Sequence, residues 1–327
     1  MRVGLTYDLR ENYLSKGYSA ENVAEFDCIE TIEAIEKVLL SRNFEVERIG
    51  CLDKLMHKLI AGERWDFVFN IAEGLYGIGR EAQVPALLDA YRIPFTFSST
   101  EILAVAMDKG LTNAVMRTYG VRTADFHVVR KMKDVERIKI NYPLFVKPIA
   151  EGTSKGIDRN SKIDCIEVLR ERCKYILDTF HQPALVEEFL SGREFTVGIT
   201  GTGDEAKVIG VMEISMIGDA DKQAYTYENK KQYEDRMVYT IVTEPSVARL
   251  ALKAWQSLHC MGAGRVDIRM NHNNEPCFLE VNPMAGLNPE YSDLPILCRK
   301  IGYPYEKLIN DIINDTLSRM NVTQQAN

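Results

Sequence analysis

The sequence lacks any apolar run longer than a few residues, far short of the ~20 that a membrane helix needs, so no membrane association is expected. Its opening, MRVGLTYDLRE, reaches charge too early for a signal peptide, and a cytoplasmic protein is expected. There is no C-x-x-C pair. The seven cysteines, at 28, 51, 165, 173, 260, 277 and 298, are odd in number, so neither a disulfide framework nor a zinc site is suggested, and they read as small apolar residues. Basic residues are not in excess: 40 Lys and Arg against 47 Asp and Glu give a formal net charge of -7. That balance argues against a nucleic-acid partner, which needs an extended basic surface, and requires that any bound nucleotide be held by a local cluster of cations. Internal repeats and low-complexity tracts are also missing, and only NVTQQAN at the C-terminus reads as frayed.

What is present is ordinary globular composition, 46% hydrophobic and 27% charged over 327 residues, enough for roughly two domains, or for one large or three small ones. The first hundred residues alternate strand and helix patterns: RVGLTY, a helical periodicity over 22–41, FEVERI, WDFVFNIAEG with its glycine loop, and a helix running into a short strand in EAQVPALLDAYRIPFTFS. This predicts an open α/β sheet of parallel strands whose βα loops face a ligand. From about 108 the pattern becomes helix, strand, helix, strand, glycine loop, helix 161–179 and the strand PALVEEF. Longer β segments follow, with a helix at 245–260 and paired strands in GRVDIRM and CFLEVNP, which is α+β in character. The expected units are 1–107, 108–185 and 186–320. Val247, Ala251, Ala254, Trp255 and Leu258 follow helical spacing and should be core.

The most informative stretch is GRVDIRMNHNNEPCFLEVNP. Two adjacent strands would bring Asp267, Glu280 and Asn282 to one edge beside Arg265, and three hard oxygen ligands with a cation suit magnesium and a polyphosphate. Upstream, PLFVKPIAEGTSKGI ends a strand at Lys147 and continues into a loop of Gly152, Thr153, Ser154 and Gly156 whose amides could wrap phosphate oxygens; it is not a Walker A sequence. In LVEEFLSGREFTV, Glu187 or its neighbour Glu188 could meet an adenine amino group and Glu194 the ribose hydroxyls, although an exposed hairpin edge explains the segment as well. Asp108-Lys109 alone is a charge pair at a helix start.

Taken in order, DK, FVKPIAEGTSKGI, VEEFLSGREFTV, YTYENKK, and GRVDIRM with FLEVNPMAGLNPEYSDLP resemble the ATP-grasp superfamily, specifically the D-alanine–D-alanine ligase family, over nearly the whole chain. The resemblance implies a three-domain ATP-grasp fold, with ATP between the central and C-terminal units and two magnesium ions, or manganese in their place. The implied reaction joins two amino acids, or an amino acid and a peptide, through an acylphosphate. By position, Lys109 and Lys147 would contact the phosphates, Gly152, Thr153, Ser154 and Gly156 would close over them, and Glu187, Glu188, Leu190 and Glu194 would hold adenosine. Lys230 would lie near the transferred phosphate, Arg265 and Gly286 beside the tetrahedral intermediate, and Asp267, Glu280 and Asn282 around the metal, while Ser292 and Leu294 would meet the second substrate. A homodimer through the N-terminal unit is also implied. Alternatives are D-alanine–D-alanine ligase itself and a non-catalytic nucleotide binder.

The departures from that family fall in one place. Its histidine-glycine motif is replaced by Asn70-Ile71-Ala72-Glu73-Gly74, its Gly-Glu-Asp-Gly run by Ile78-Gly79-Arg80-Glu81, and its Lys-Tyr by Lys230-Lys231. The N-terminal loop becomes YDLRENYLSKGYSAENVAEFD. Glu73, Arg80, Glu81 and Lys231 therefore predict a first substrate with more charge than D-alanine, such as a diamino acid or a peptide with a free amine; pairing of Glu73 with Arg80 would explain the loop structurally instead.

Overall fold

The computed structural model describes residues 1–216 and 237–325. Strands β1 (Arg2–Tyr7), β2 (Glu45–Gly50) and β3 (Phe67–Ile71) form a parallel sheet in the order β2-β1-β3. Parallel strands need crossovers, and these are α2 (Ile29–Ser41) and α3 (Leu52–Ile60), preceded by the short α1 (Arg10–Leu14). Alternation along the strands separates two cores. Val3, Leu5, Phe67 and Phe69 meet Ile32, Ile35, Val38 and Leu39 of α2 on one face. Val68 meets Leu55 and Leu59 of α3 and Leu88 of α4 (Gln83–Ala90) on the other.

Two local expectations change here. The helical pattern over 22–41 yields a helix only from Ile29, because Asp27 bridges back to Leu9, its carbonyl accepting from the Arg10 amide at 2.9 Å, and the extended backbone at Cys28 follows from that bridge. The short strand after α4 reduces to a single bridge, Val68 to Phe95; Pro94 has no N–H to extend the ladder and Phe97 takes a positive φ of 67°.

After α5 (Thr100–Met107) and α6 (Lys109–Thr118), β4 (Phe126–Val129), β5 (Leu144–Pro148), β6 (Lys162–Ile163) and β7 (Ala184–Glu188) build an antiparallel sheet in the order β4-β7-β5-β6. Helix α7 (Ile166–Phe180) covers it with Leu169, Cys173 and Ile176. The expected boundary at 185 falls inside β7, whose last residues, Glu187 and Glu188, still pair with Phe145 and Leu144 of β5.

A third sheet, order β10-β9-β8-β11-β12, contains β8 (Glu194–Thr200), β9 (Lys207–Met216), β10 (Met237–Ile241), β11 (Ala263–Met270) and β12 (Pro276–Asn282). Helix α8 (Pro245–Ser257) packs on it through Val247, Ala251, Ala254 and Trp255, the positions its spacing marks as core. Cys260, Cys277 and Cys298 are buried free thiols. The chain ends in α9 (Asp293–Lys300) and α10 (Tyr305–Gln325), and Leu308, Ile309, Ile312 and Ile313 of α10 join the core of the first sheet.

The third sheet positions its polar residues through one very close contact. A Cβ on Gly264 would sit 2.4 Å from the Asn282 carbonyl oxygen and 2.7 Å from the Trp255 ring. Gly264→Ala is therefore expected to lower stability by about 1–3 kcal/mol, as overpacked cores do, read as a shift in the denaturant midpoint at unchanged slope.

Candidate active site

A cleft opens between the second and third sheets, and nearly every nucleotide-directed expectation meets there. Strand β5 delivers Lys147, the following loop Glu151 to Lys155, and the end of β7 Glu187, Glu188 and Leu190. The third sheet contributes Glu194, Thr196, Arg265, Asp267, Arg269 and Glu280. The register explains this convergence: Asp267 of β11 lies opposite Thr196 on β8 and Glu280 on β12, and Arg265 lies opposite Asn282. Lys109 arrives from another direction. Asp108 caps α6 by accepting the Leu111 amide at 2.9 Å, which leaves Lys109 on the first turn, where its ammonium donates to the Glu151 carbonyl at 2.8 Å and stands 3.3 Å from Glu280.

Each cation of the cleft has an acidic neighbour. Lys147 pairs with Glu187 at 2.7 Å, Arg269 with Glu194 at 3.2 Å, and Arg265 with Asp293 at 2.6 Å and Asp267 at 3.4 Å. Glu187 also accepts from Asn113 at 3.1 Å, so its carboxylate is held at the back wall of the cleft. Burial would raise the Glu280 carboxyl, but Lys109, Lys147 and Arg265 outweigh it and hold it down at about 2. Burial wins at Asp267, pushed up to about 7 against the pull of Arg265. Burial also raises Glu194, with Arg269 opposing. Two carboxylates with the Asn282 amide, which donates to Asp267 at 3.2 Å, are a donor set suited to magnesium held partly by a nucleotide's own phosphates. Among the described residues, no cluster of three or more His, Cys, Asp or Glu forms a metal cage.

The loop after β5 is strained where it faces the cleft. Thr153 and Ser154 take positive φ values of 51° and 57°, a region non-glycine residues rarely enter. Gly152 has the opposite virtue: its amide donates to Glu25 at 2.7 Å, and a Cβ there would lie 2.3 Å from that oxygen. Gly156 stands apart from its expected ATP contact, since it packs behind the loop on Pro148 and Phe180 rather than lining the cleft.

A second cavity, of about 460 Å³, adjoins the first and shares Gly152, Thr153 and Arg265 with it. Gly286, Tyr291, Ser292, Asp293 and Leu294 line one side, with Asn282 near the junction. Ser292 accepts the Asn288 amide at 3.1 Å, and Leu294 is buried in the first core. Glu25, Asp27, Glu73 and Glu81 line the other side with Arg10. Arg80 is a correction to expectation: it is buried, donates to the Ala150 carbonyl at 2.8 Å and pairs with Glu25 at 2.7 Å, so it braces the phosphate loop instead of facing substrate or pairing with Glu73. Lys230, Lys231 and the rest of 217–236 lie outside the described residues. Sequence reasoning missed Glu25, Asp27, Arg10 and Asp293; the first three sit in the charged N-terminal loop, whose composition was the available signal.

Glu73 and Glu81 hydrogen-bond each other. Burial, then the charges of Glu81, Glu25 and Asp27, raise Glu73 well above the usual carboxylate range, while Glu81 is pushed up to about 7, mainly by burial. An acid that binds its proton more tightly folded than unfolded stabilises the fold below its ordinary value of 4.5 and loses that contribution as pH rises through about 7. Glu81→Gln is thus expected to match the parent near pH 4.5 and to exceed it at pH 8, by on the order of 1 kcal/mol in chemical unfolding without ligands.

The family model described as the D-ala D-ala ligase C-terminus matches residues 111–314. A D-alanine–D-alanine ligase of Aquifex aeolicus is 32% identical over 291 residues, covering 87% of this chain and 94% of that protein. One from Bordetella petrii is 28% identical over 296 residues, covering 88% and 87%. The crystal structure of a D-alanine–D-alanine ligase from Bacillus anthracis complexed with ATP aligns over 100% of both chains with a TM-score of 0.74 at 20% identity, a likeness of fold. With its two adjoining cavities and the match running across most of its length, the chain belongs to the D-alanine–D-alanine ligase family.

Proposed function

We infer that this protein is an ATP-dependent carboxylate–amine ligase that joins two amino acids, or an amino acid and a peptide, with release of ADP and phosphate. The observation that carries this is the junction: Thr153 and Arg265 border both cavities, beside Lys109, Asp267 and Glu280. A nucleotide lying against Glu187, Glu188, Leu190 and Glu194 would thus present its γ-phosphate to a substrate in the adjoining cavity.

A carboxylate is a poor electrophile, and phosphorylation supplies a leaving group. A carboxylate oxygen attacks the γ-phosphorus and the bond to the ADP oxygen breaks, giving an acylphosphate. A neutral amine then attacks the acyl carbon, the carbon–oxygen bond to phosphate breaks, and the amine's remaining extra proton leaves with phosphate. Phosphoryl transfer depends mainly on positioning and on positive charge, which Lys109, Lys147 and the 151–155 loop supply. Arg265 and Gly286 line the adjoining cavity, and their N–H groups would face the carbon at which an oxyanion develops in the second step. Asp267, Glu280 and Asn282 would hold magnesium, which neutralises charge on the phosphates when bound. Ser292 and Leu294 belong to the second substrate's side. Lys230 is assigned near the transferred phosphate by resemblance alone. The reading also takes 1–107, 108–185 and 186–320 as the three units, a homodimer through the first, and a cytoplasmic setting; no described helix is long and apolar enough to cross a membrane.

A second reading, with D-alanine in both positions, is favoured by the names of the relatives. ATP-dependent phosphate release across pairs of D- and L-amino acids and dipeptides, with mass spectrometry of the products, separates the two. A D-alanyl-D-alanine product supports the second reading and another amide the first. ATP binding without phosphate release from any pair would indicate a nucleotide binder.

A further inference from the structure

The segment between β1 and α2 crosses the second cavity as a strap. It leaves the first sheet at Leu9 and returns at Asp27, where those two residues bridge and the Arg10 amide donates to the Asp27 carbonyl at 2.9 Å. Further contacts hold it down: the Tyr18 and Tyr76 hydroxyls share a hydrogen bond at 2.8 Å, and Glu25 receives Arg80 and the Gly152 amide, each at 2.7 Å. Within the strap, Tyr13 packs on Phe26 and Tyr18 with ring centroids 4.6 and 5.7 Å apart.

The strap has two sides. Leu14, Ala20, Ala24 and Phe26 line the cavity, whereas Glu11, Asn12, Lys16, Glu21 and Asn22 are exposed and do not line it. Leu14 follows Arg10 by one turn of α1, so both reach the same cavity, and Leu14 is left 42% exposed. On the cavity's other side, Tyr291 is 38% exposed beside the buried Met284, Ala285 and Leu294. Apolar surface left open within one cavity is covered favourably by an apolar ligand.

The charged groups at the strap's end are matched within the protein. Glu25 pairs with Arg80, the charge of Arg10 offsets Asp27, and Glu81 bonds to Glu73 within reach of the charges of Arg80 and Lys109. What remains for a substrate's side chain is apolar. Space agrees with this. Two alanines carry twelve non-hydrogen atoms, and at about 30 Å³ each, the share of one water in the liquid, they would take no more than about 360 Å³ of a cavity of about 460 Å³.

Resting on the ligase reading above, we propose that the first substrate is an α-amino acid with a large apolar side chain, of leucine or phenylalanine size, seated against Leu14, Ala20 and Ala24 of the strap. Glu25 bonds the phosphate loop at Gly152, so the strap stands beside the substrate whose carboxylate is phosphorylated. Leu14 then acts as a specificity residue by supplying apolar contact, and the two alanines supply room.

The test measures ATP-dependent phosphate release by the full-length protein with magnesium, using alanine, leucine or phenylalanine of either hand as the varied substrate and alanine as its fixed partner. Mass spectrometry reads which residue gives its carboxyl to the new amide. The expected result is a kcat/KM roughly tenfold or more higher for leucine or phenylalanine than for alanine in that position, the size of effect that even one buried methylene supplies. The ratio is expected to fall below about threefold in Leu14→Asn, and in Ala24→Phe, which fills the space. Alanine used equally well or better overturns the proposal and leaves the ligase reading standing, and so does a ratio unchanged in both variants. If one variant does not fold, the other decides. If no pair releases phosphate, the ligase reading falls, and thermal shifts with ATP present decide the proposal: stabilisation by leucine or phenylalanine beyond that by alanine sustains it, and equal shifts overturn it.

Discussion

Glu280→Gln is expected to reduce turnover by roughly a thousandfold or more, with the fold retained. The change is nearly isosteric, yet it removes a carboxyl that Lys109, Lys147 and Arg265 hold ionised, at about 2. Two effects combine. The donor set for magnesium drops to a single carboxylate, and Lys109, which stands 3.3 Å from Glu280, loses the charge that holds it at the junction. The measurement is steady-state phosphate release beside a thermal melt. Turnover within a few-fold of the parent would show that Glu280 is not a metal ligand.

The second large effect is expected at Arg265. Its guanidinium lies between Asp293 and Asp267, so Arg265→Ala leaves two carboxylates facing each other in a partly buried setting. Loss of one partner of such a cluster costs about 3–5 kcal/mol, and loss of a donor to a developing oxyanion costs a further factor of roughly a hundred to a thousand in kcat. Arg265→Lys separates the two contributions: charge is kept and the planar fork is lost, so stability should largely recover while turnover does not. Equal recovery of both would assign Arg265 to structure alone.

The nucleotide side of this site was legible because its residues lie in short runs with strand spacing. Asp267 and Glu280 meet through the register of one hairpin, and register follows from alternation that a reader of the sequence can count. The substrate side resisted for the opposite reason. Glu25, Asp27, Glu73 and Glu81 lie on loops whose paths no periodicity dictates, and they meet only after the sheet has brought the two loops together. Arg80 shows the limit most clearly. A charge in a glycine-bearing loop reads as surface, yet its partners are Glu25, 55 positions before it, and the Ala150 carbonyl, 70 positions after it. The start of α2 was missed similarly, because the Leu9 to Asp27 bridge that sets it is a tertiary contact.

The last helix has a consequence for the order in which this protein can be completed. The core of the N-terminal sheet unites Val3, Leu5, Phe67 and Phe69 with Ile309, Ile312 and Ile313 of α10, and Arg319 donates to the carbonyls of Phe95 and Phe97. At roughly 5–20 residues per second, the 240 residues from Phe69 to Ile309 separate the two halves of that core by on the order of 12 to 48 s. For that interval, the first sheet has this apolar face covered only in part, by α2. The exposure to aggregation falls on these early strands, and the contact that ends it comes from α10.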